Sequence, residues 1–227
     1  MSAEFDKYAK GYREILDAPL ALTGESSSFF AEYKTQKLAE WLPEFYQGTP
    51  QTILDFGCGD GLMTHFVSQQ FPQSIIHGVD PSTESIKIAQ ESYPNITFGV
   101  SGDTLENFAD NTFDVIFSAG VFHHIPFELH EHYTKELLRI LNKNGILVIF
   151  ELNPFNPATR YIFKHSPVDI HATMLYPNYA QKLLTPYGIP KIKFYGFFPN
   201  LLKNLRWSEK FLTKVPLGGL YAAILKK

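Results

Sequence analysis

Cysteine is almost missing from this chain: Cys58 is the only one in 227 residues. That excludes an internal disulfide and fits a reducing compartment, so a cytoplasmic setting is expected. Long apolar runs are missing too. Nothing approaches the ~18 residues of a membrane span. The opening stretch MSAEFDKYAKGYREIL mixes charges throughout and has no signal-peptide apolar core. Neither sign of charge dominates, since 20 Lys and Arg stand against 23 Asp and Glu. Overall charge therefore gives no reason to expect nucleic acid or an anionic membrane as the main partner. Repeats and low-complexity tracts are absent.

What is present reads as one globular domain over 1–227, with 44% hydrophobic and 19% charged residues. Two helical segments are expected in 1–49, about 4–16 and from 29 to 42, the second capped by a serine of TGESSS. From Thr52 strands and helices alternate: TILDF, GDGLMTHFVSQQF, SIIHGVD, STESIKIAQESY, NITFGV, FDVIFSAG, PFELHEHYTKELLRIL and GILVIFEL. That alternation implies parallel βαβ units in a doubly wound α/β sheet. Gly145, after LNKN, is expected to cap a helix C-terminus. Two late strand candidates, KIKFYGFF and GLYAAILKK, follow a helical stretch rich in proline. The expected divisions are a helical cap (1–49), a cofactor-binding core (50–152), an acceptor lid (153–188) and a strand pair (189–227).

The first strand runs straight into glycine: ILDFGCGDG, residues 53–61, holds Asp55, Gly57, Gly59 and Gly61. This is the nucleotide position of a doubly wound sheet, at the C-terminal end of its strands, where glycines let a ligand lie against the backbone. A plain turn is the competing reading. The dinucleotide pattern G-x-G-x-x-G would need glycine where Leu62 stands, which disfavours a nicotinamide-dependent oxidoreductase. Asp80 closes the second strand 19 residues after Gly61, where a carboxylate can accept from both ribose hydroxyls. Asp103, in SGDTLENF, is placed either to accept from an adenine amino group with Leu105 over the ring, or to cap a helix.

Taken together, LDFGCGDG, VDPS, SGD, FDVIFSAGVFHHI and LNKNGILVIFEL resemble the class I S-adenosylmethionine-dependent methyltransferases in order and spacing over about residues 50–152. The flanks GESSSFFAEYK and NPFNPATR resemble a bacterial subgroup of these enzymes. The resemblance implies a Rossmann-like seven-stranded sheet, order 3-2-1-4-5-7-6 with the seventh strand antiparallel and helices on both faces. It implies S-adenosyl-L-methionine as cofactor and methyl transfer to oxygen or nitrogen of a small molecule or carbohydrate precursor. The alternatives are a protein of this fold that binds the cofactor without methyl transfer, and the oxidoreductase. By resemblance the cofactor lies against Asp55, Gly57, Cys58, Gly59, Asp80, Pro81, Gly102, Asp103, Thr104 and Ala119, with Tyr12 and Lys34 closing over it. Cys58 is expected only to pack there.

Methyl transfer from a sulfonium requires alignment and exclusion of water, and a base only if the acceptor must lose a proton. His124, just after the fourth strand, is a candidate base or orienting group; it can equally be a histidine that fixes its loop. Glu151, ending the fifth strand, is the second candidate base, or a loop anchor. Tyr8, Arg160 and Tyr161 are expected at the acceptor, with Lys164 near an anionic group; Phe163 and Tyr176 are wall candidates, and His165 and His171 weaker ones. No metal is expected: His130 and His132 point apart on a helix, and no histidine pair has a zinc spacing.

Overall fold

A computed structural model describes residues 6–102 and 104–227. Its centre is a seven-stranded sheet, ordered β3-β2-β1-β4-β5-β7-β6. The strands are β1 (Thr52–Phe56), β2 (Ile75–Asp80), β3 (Thr97–Val100), β4 (Phe113–Ala119), β5 (Leu141–Leu152), β6 (Lys191–Tyr195) and β7 (Leu220–Lys226). The first five run parallel, and β7 is antiparallel to both β5 and β6. The expected topology is therefore present strand for strand.

The central strands are apolar on both faces because helices cover both sides. Successive residues alternate between two cores. Leu54, Ile116, Leu147 and Tyr221 face one, against Leu137 of α5 (His130–Ile140) and Leu184 of α7 (Pro177–Leu184). Ile53, Val115, Val148 and Ile224 face the other, against Leu38 and Trp41 of α2 (Ser27–Trp41) and Val67 of α3 (Leu62–Gln70). Helix α4 (Thr83–Ser92) packs Ile86 and Ala89 with Phe98 and Cys58.

Three expectations change. Helix α1 covers Tyr12–Leu20 rather than 4–16, because residues 6–11 are turns and Gly11 sits left-handed (φ 80°) at the helix start; residues 4 and 5 lie outside the described residues. Gly145 does not cap α5, which ends at Ile140. It lies inside β5, after Asn144 at φ 68°, where the register with β4 jumps from Phe113↔Leu141 to Val115↔Ile146. The residues NKNG bulge out of the sheet there. The sixth strand stops at Tyr195, since Gly196 turns left-handed (φ 72°). Helix α2 begins as expected, with the Ser26 Oγ accepting from the Phe29 N–H at 3.1 Å. The segment after β5 holds α6 (Pro157–His165) and α7.

Candidate functional site

The parallel strands deliver their C-terminal ends to one edge, and the sequence-selected residues gather there. Gly57, Gly59 and Gly61 all adopt positive φ (82°, 54° and 80°). At Gly57 a Cβ would collide with Val121, and at Gly61 it would meet Phe98 at 2.8 Å, so both glycines are required by packing alone. Gly59 differs. The nearest atom to a Cβ there is Tyr12 Cε1 at 4.0 Å, which leaves open space over the turn. Loop donors are already committed: the N–H groups of Gly57 and Cys58 donate to the Val79 carbonyl (2.8 and 3.0 Å), and that of Gly59 to Asp80 Oδ2 (2.9 Å). What the turn offers a ligand is carbonyl oxygen and room.

Asp80 holds its own strand end together. Its second oxygen accepts from the Ser82 N–H at 2.8 Å. Each oxygen thus takes one backbone donor and keeps a further lone pair, which suits a diol. Burial pushes this carboxyl up, against the two backbone donors. Asp55, on β1, accepts from Thr64 Oγ1 at 2.7 Å, and burial lifts its pKa to about 7. A buried carboxyl group in that state gains from an incoming cation. Cys58 is buried and its thiol pushed up by desolvation, as befits a packing residue.

Helix α1 crosses the glycine turn. Arg13 is paired with Asp60 through both carboxylate oxygens, with Nε to Oδ2 at 2.6 Å. Tyr12 is thereby set beside Gly59, and burial raises its phenol. Just upstream, Asp6 accepts from Ser82 Oγ at 2.6 Å. Lys34, on α2, is pulled down to about 8 by burial, against the attraction of Glu151 and Asp55. Tyr8 is half-buried in the same N-terminal stretch. Arg13, Asp60 and Asp6 carried no local signal; their partners are distant in sequence.

The fourth and fifth strands contribute a proton-bridged cluster. His123 Nδ1 donates to Glu151 Oε2 at 2.6 Å, and the His123 N–H to Oε1 at 3.3 Å. On its other side Nε2 lies 3.2 Å from Asp169 Oδ1, which also faces His124 Nε2 at 3.3 Å. Burial disfavours charge on His123, yet Glu151 and Asp169 overcome it and lift the pKa to about 10. His124 goes the other way: burial and the adjacent imidazolium drop it to about 4, against the pull of Asp169. Glu151, expected as a base, is 1% exposed with both oxygens on His123. In this arrangement it anchors that histidine's loop, the other role expected of it. Sequence reading weighed His123 only within a histidine pattern that lacks a zinc spacing, and Asp169 not at all. Asp169 sits 46 residues from His123 in the turn Pro167–Asp169, and no pattern marks it.

The atoms of His123, His124 and Asp169 that can ligate a metal lie within 4.8 Å of one another.

Residues 153–188 pack onto this cluster. The Thr173 N–H donates to the His123 carbonyl at 2.9 Å, and the Phe163 ring meets the His123 ring edge-on at 5.8 Å. Arg160, Tyr161 and Lys164 of α6 line an open cleft of about 410 Å³ with Pro157 and Met174. Tyr161 stacks on His165 at 4.1 Å, Tyr176 meets Phe155 at 5.5 Å, and His171 is exposed. Pro81 and Ala119 flank the strand ends, half-buried, while Gly102 and Thr104 are exposed beyond β3. Asp103 lies outside the described residues. Leu105 is buried in the core with Phe113.

Comparison with known proteins places this geometry. Residues 53–145 match the family described as a methyltransferase domain. Trans-aconitate 2-methyltransferase of Azoarcus sp. is 26% identical over 61% of this chain and 53% of its own length. Malonyl-[acyl-carrier protein] O-methyltransferase of Halalkalibacterium halodurans is 33% identical over 49% of this chain and 42% of its own. The chain thus spans about half the length of these curated relatives. Among solved structures, a SAM-dependent methyltransferase from Archaeoglobus fulgidus superposes with a TM-score of 0.67 at 20% identity, over 87% of this chain and 94% of that one.

Proposed function

We propose that this chain, which matches the methyltransferase-domain family over residues 53–145 and has the 3-2-1-4-5-7-6 strand order, is a class I S-adenosylmethionine-dependent methyltransferase that moves a methyl group from S-adenosyl-L-methionine to an oxygen or nitrogen of a small anionic acceptor. The observation that carries the reading is the glycine turn folded around the Asp80 carboxylate, with open space over Gly59. Asp80 suits the ribose hydroxyls, and Asp55 with the Gly57 and Gly59 carbonyls suits the ammonium end of the cofactor. Tyr12 and Lys34 cover it from α1 and α2. The bound sulfonium supplies an already electrophilic methyl group. The protein's task is then to align an acceptor and exclude water, effects worth up to ~7–11 kcal/mol of barrier.

His124 is neutral at physiological pH but, at about 4, a weak proton acceptor. A group so weakly basic suits orienting the acceptor better than removing a proton from it. Glu151 and His123 act one step back, holding Asp169 and so the His124 ring. The cleft beside α6 supports an anionic acceptor, since Arg160 and Lys164 lie one turn apart along its wall. The relatives named for trans-aconitate and malonyl-[acyl-carrier protein] methylation fit this chemistry.

Calorimetric titration with S-adenosylhomocysteine, with mass spectrometry of small molecules retained on purification, tests the cofactor assignment. Saturable binding supports it, and a nicotinamide dinucleotide in the site overturns it. Acceptor screening by S-adenosylhomocysteine release tests the transfer; binding without turnover on any carboxylate, hydroxyl or amine acceptor leaves a silent cofactor binder. With an acceptor in hand, Arg160→Ala is expected to cost at least ~10-fold in kcat/KM and to change cofactor affinity less than about twofold. A collapse of cofactor affinity instead would assign α6 to the cofactor.

A further inference from the structure

The stretch between β6 and β7 is built inside out. Over Pro199–Leu217 it turns Glu209 and Arg206 inward and its large apolar residues to water. The Glu209 carboxylate is 1% exposed; it accepts from the Tyr33 hydroxyl and from the Phe197 N–H at 2.9 Å. Arg206 pairs with Glu25 and lies over the Phe29 ring at 4.5 Å. Asn200 donates to the Gly24 carbonyl at 3.0 Å. These contacts fix the irregular 3-10 segment Asn200–Phe211 against the start of α2. Its outward side chains are Leu201 (92% exposed), Leu202, Leu205, Trp207 (68%) and Phe211 (71%), continued by Leu217.

The charge on this face is of one sign. Lys203, Lys210 and Lys214 are exposed among the apolar groups. The only carboxylate in the stretch is Glu209, which points inward. A patch of leucine, tryptophan and phenylalanine set among lysines, on a molecule of net charge −3, is a local departure from the rest of the surface. Apolar patches of this kind mark interaction sites. The composition is that of an element lying in the interface of an anionic bilayer: aromatic and aliphatic groups enter the acyl boundary while lysines meet acidic headgroups. A protein groove would not require this uniform positive sign.

We propose that Pro199–Leu217 docks the protein peripherally on an anionic membrane surface. No transmembrane helix is involved, and no helix among the described residues is long and apolar enough to cross a bilayer. The far end of the stretch is tied to the edge of the sheet where the candidate site lies, through Asn153 to the Gly218 carbonyl (2.6 Å) and Asn156 to the Leu217 carbonyl (2.8 Å). Docking therefore sets that edge beside the membrane. The proposal does not depend on the methyl-transfer reading.

The test is sedimentation of the full chain with vesicles of phosphatidylcholine alone or mixed with phosphatidylglycerol, followed also by tryptophan emission. Trp41 is buried, so a blue shift reports Trp207. Binding to the anionic vesicles is expected to exceed binding to neutral ones at least ~10-fold and to fall with salt. Leu201→Ser with Phe211→Ser, and separately Lys203→Glu with Lys210→Glu and Lys214→Glu, should each weaken it by a similar factor with unchanged circular dichroism. Equal binding to both vesicle types, or none, overturns the proposal. So does light scattering that shows a dimer which the serine variant converts to monomer, because a second copy of the chain would then cover the patch.

Discussion

Asp80 serves its own turn before it serves any ligand, and that double duty makes its replacement informative. Asp80→Ala removes the acceptor for the Gly59 and Ser82 N–H groups as well as the ribose partner. Cofactor affinity should fall by about 1.5–3 kcal/mol by calorimetry, the scale of charge-assisted hydrogen bonds. Unchanged affinity in a folded variant would remove Asp80 from the site. His123 makes a different prediction, of stability against pH. Its folded pKa of about 10 lies above the ordinary 6.5. Its charge therefore stabilises the fold fully below pH 6.5, and that contribution is lost as pH rises through about 10. His123→Gln should cost a few kcal/mol near pH 6.5, on the order of the linked shift, and progressively less toward pH 10. Denaturant curves of both proteins across that range give the difference directly; a constant gap would mean that the imidazolium is not what holds Glu151 and Asp169. Asp55, Asp80 and the glycines were legible in the sequence because one strand–helix–strand unit, Thr52–Asp80, carries them. Asp169 and Arg13 were not, since their partners are brought together only by the fold.

Among elements, the glycine turn separates packing from binding. Gly57 is fixed by Val121 and Gly61 by Phe98, whereas Gly59 faces open space. Gly59→Ala should therefore fold, at a cost of about 1 kcal/mol for its left-handed backbone, and lose cofactor affinity at least ~10-fold if the ligand lies against that Cα. Calorimetry beside thermal melting separates the two effects; full affinity would make the turn purely structural. The alternation of strands and helices was readable from hydrophobic rhythm because the sheet is covered on both faces. Element ends were less so. Gly11 begins α1 late and Asn144–Gly145 kinks β5, and in each case a residue read as a helix component or cap takes a backbone angle that only its neighbours decide. Glu151 shows the same limit for chemistry: its position at a strand end was legible, but not that a histidine would occupy both oxygens.

For the molecule as a whole, the strand order was legible only through family resemblance. Periodicity marks GLYAAILKK as a strand without saying that it lies between β5 and β6. Its place has a temporal consequence. A ribosome delivers β6 before β7, yet β7 is the only strand that β6 pairs with among the described residues. Until Leu220–Lys226 emerges, β5 carries an open edge and β6 has no ladder at all, the condition in which strands recruit other chains. Ending the chain after Gly219 should therefore leave it largely aggregated, while five parallel strands keep their neighbours. Supplying the missing residues as a separate peptide should recover soluble protein, measured by the fraction left in the supernatant. A soluble, cooperatively melting truncation would show that the sheet closes without its inserted strand. If the prediction holds, the nascent chain passes through a vulnerable interval spanning the whole β6–β7 connection, during which the leucines and Trp207 of that connection are also uncovered. Translation speed over these residues, rather than native stability, would then set the yield of folded protein.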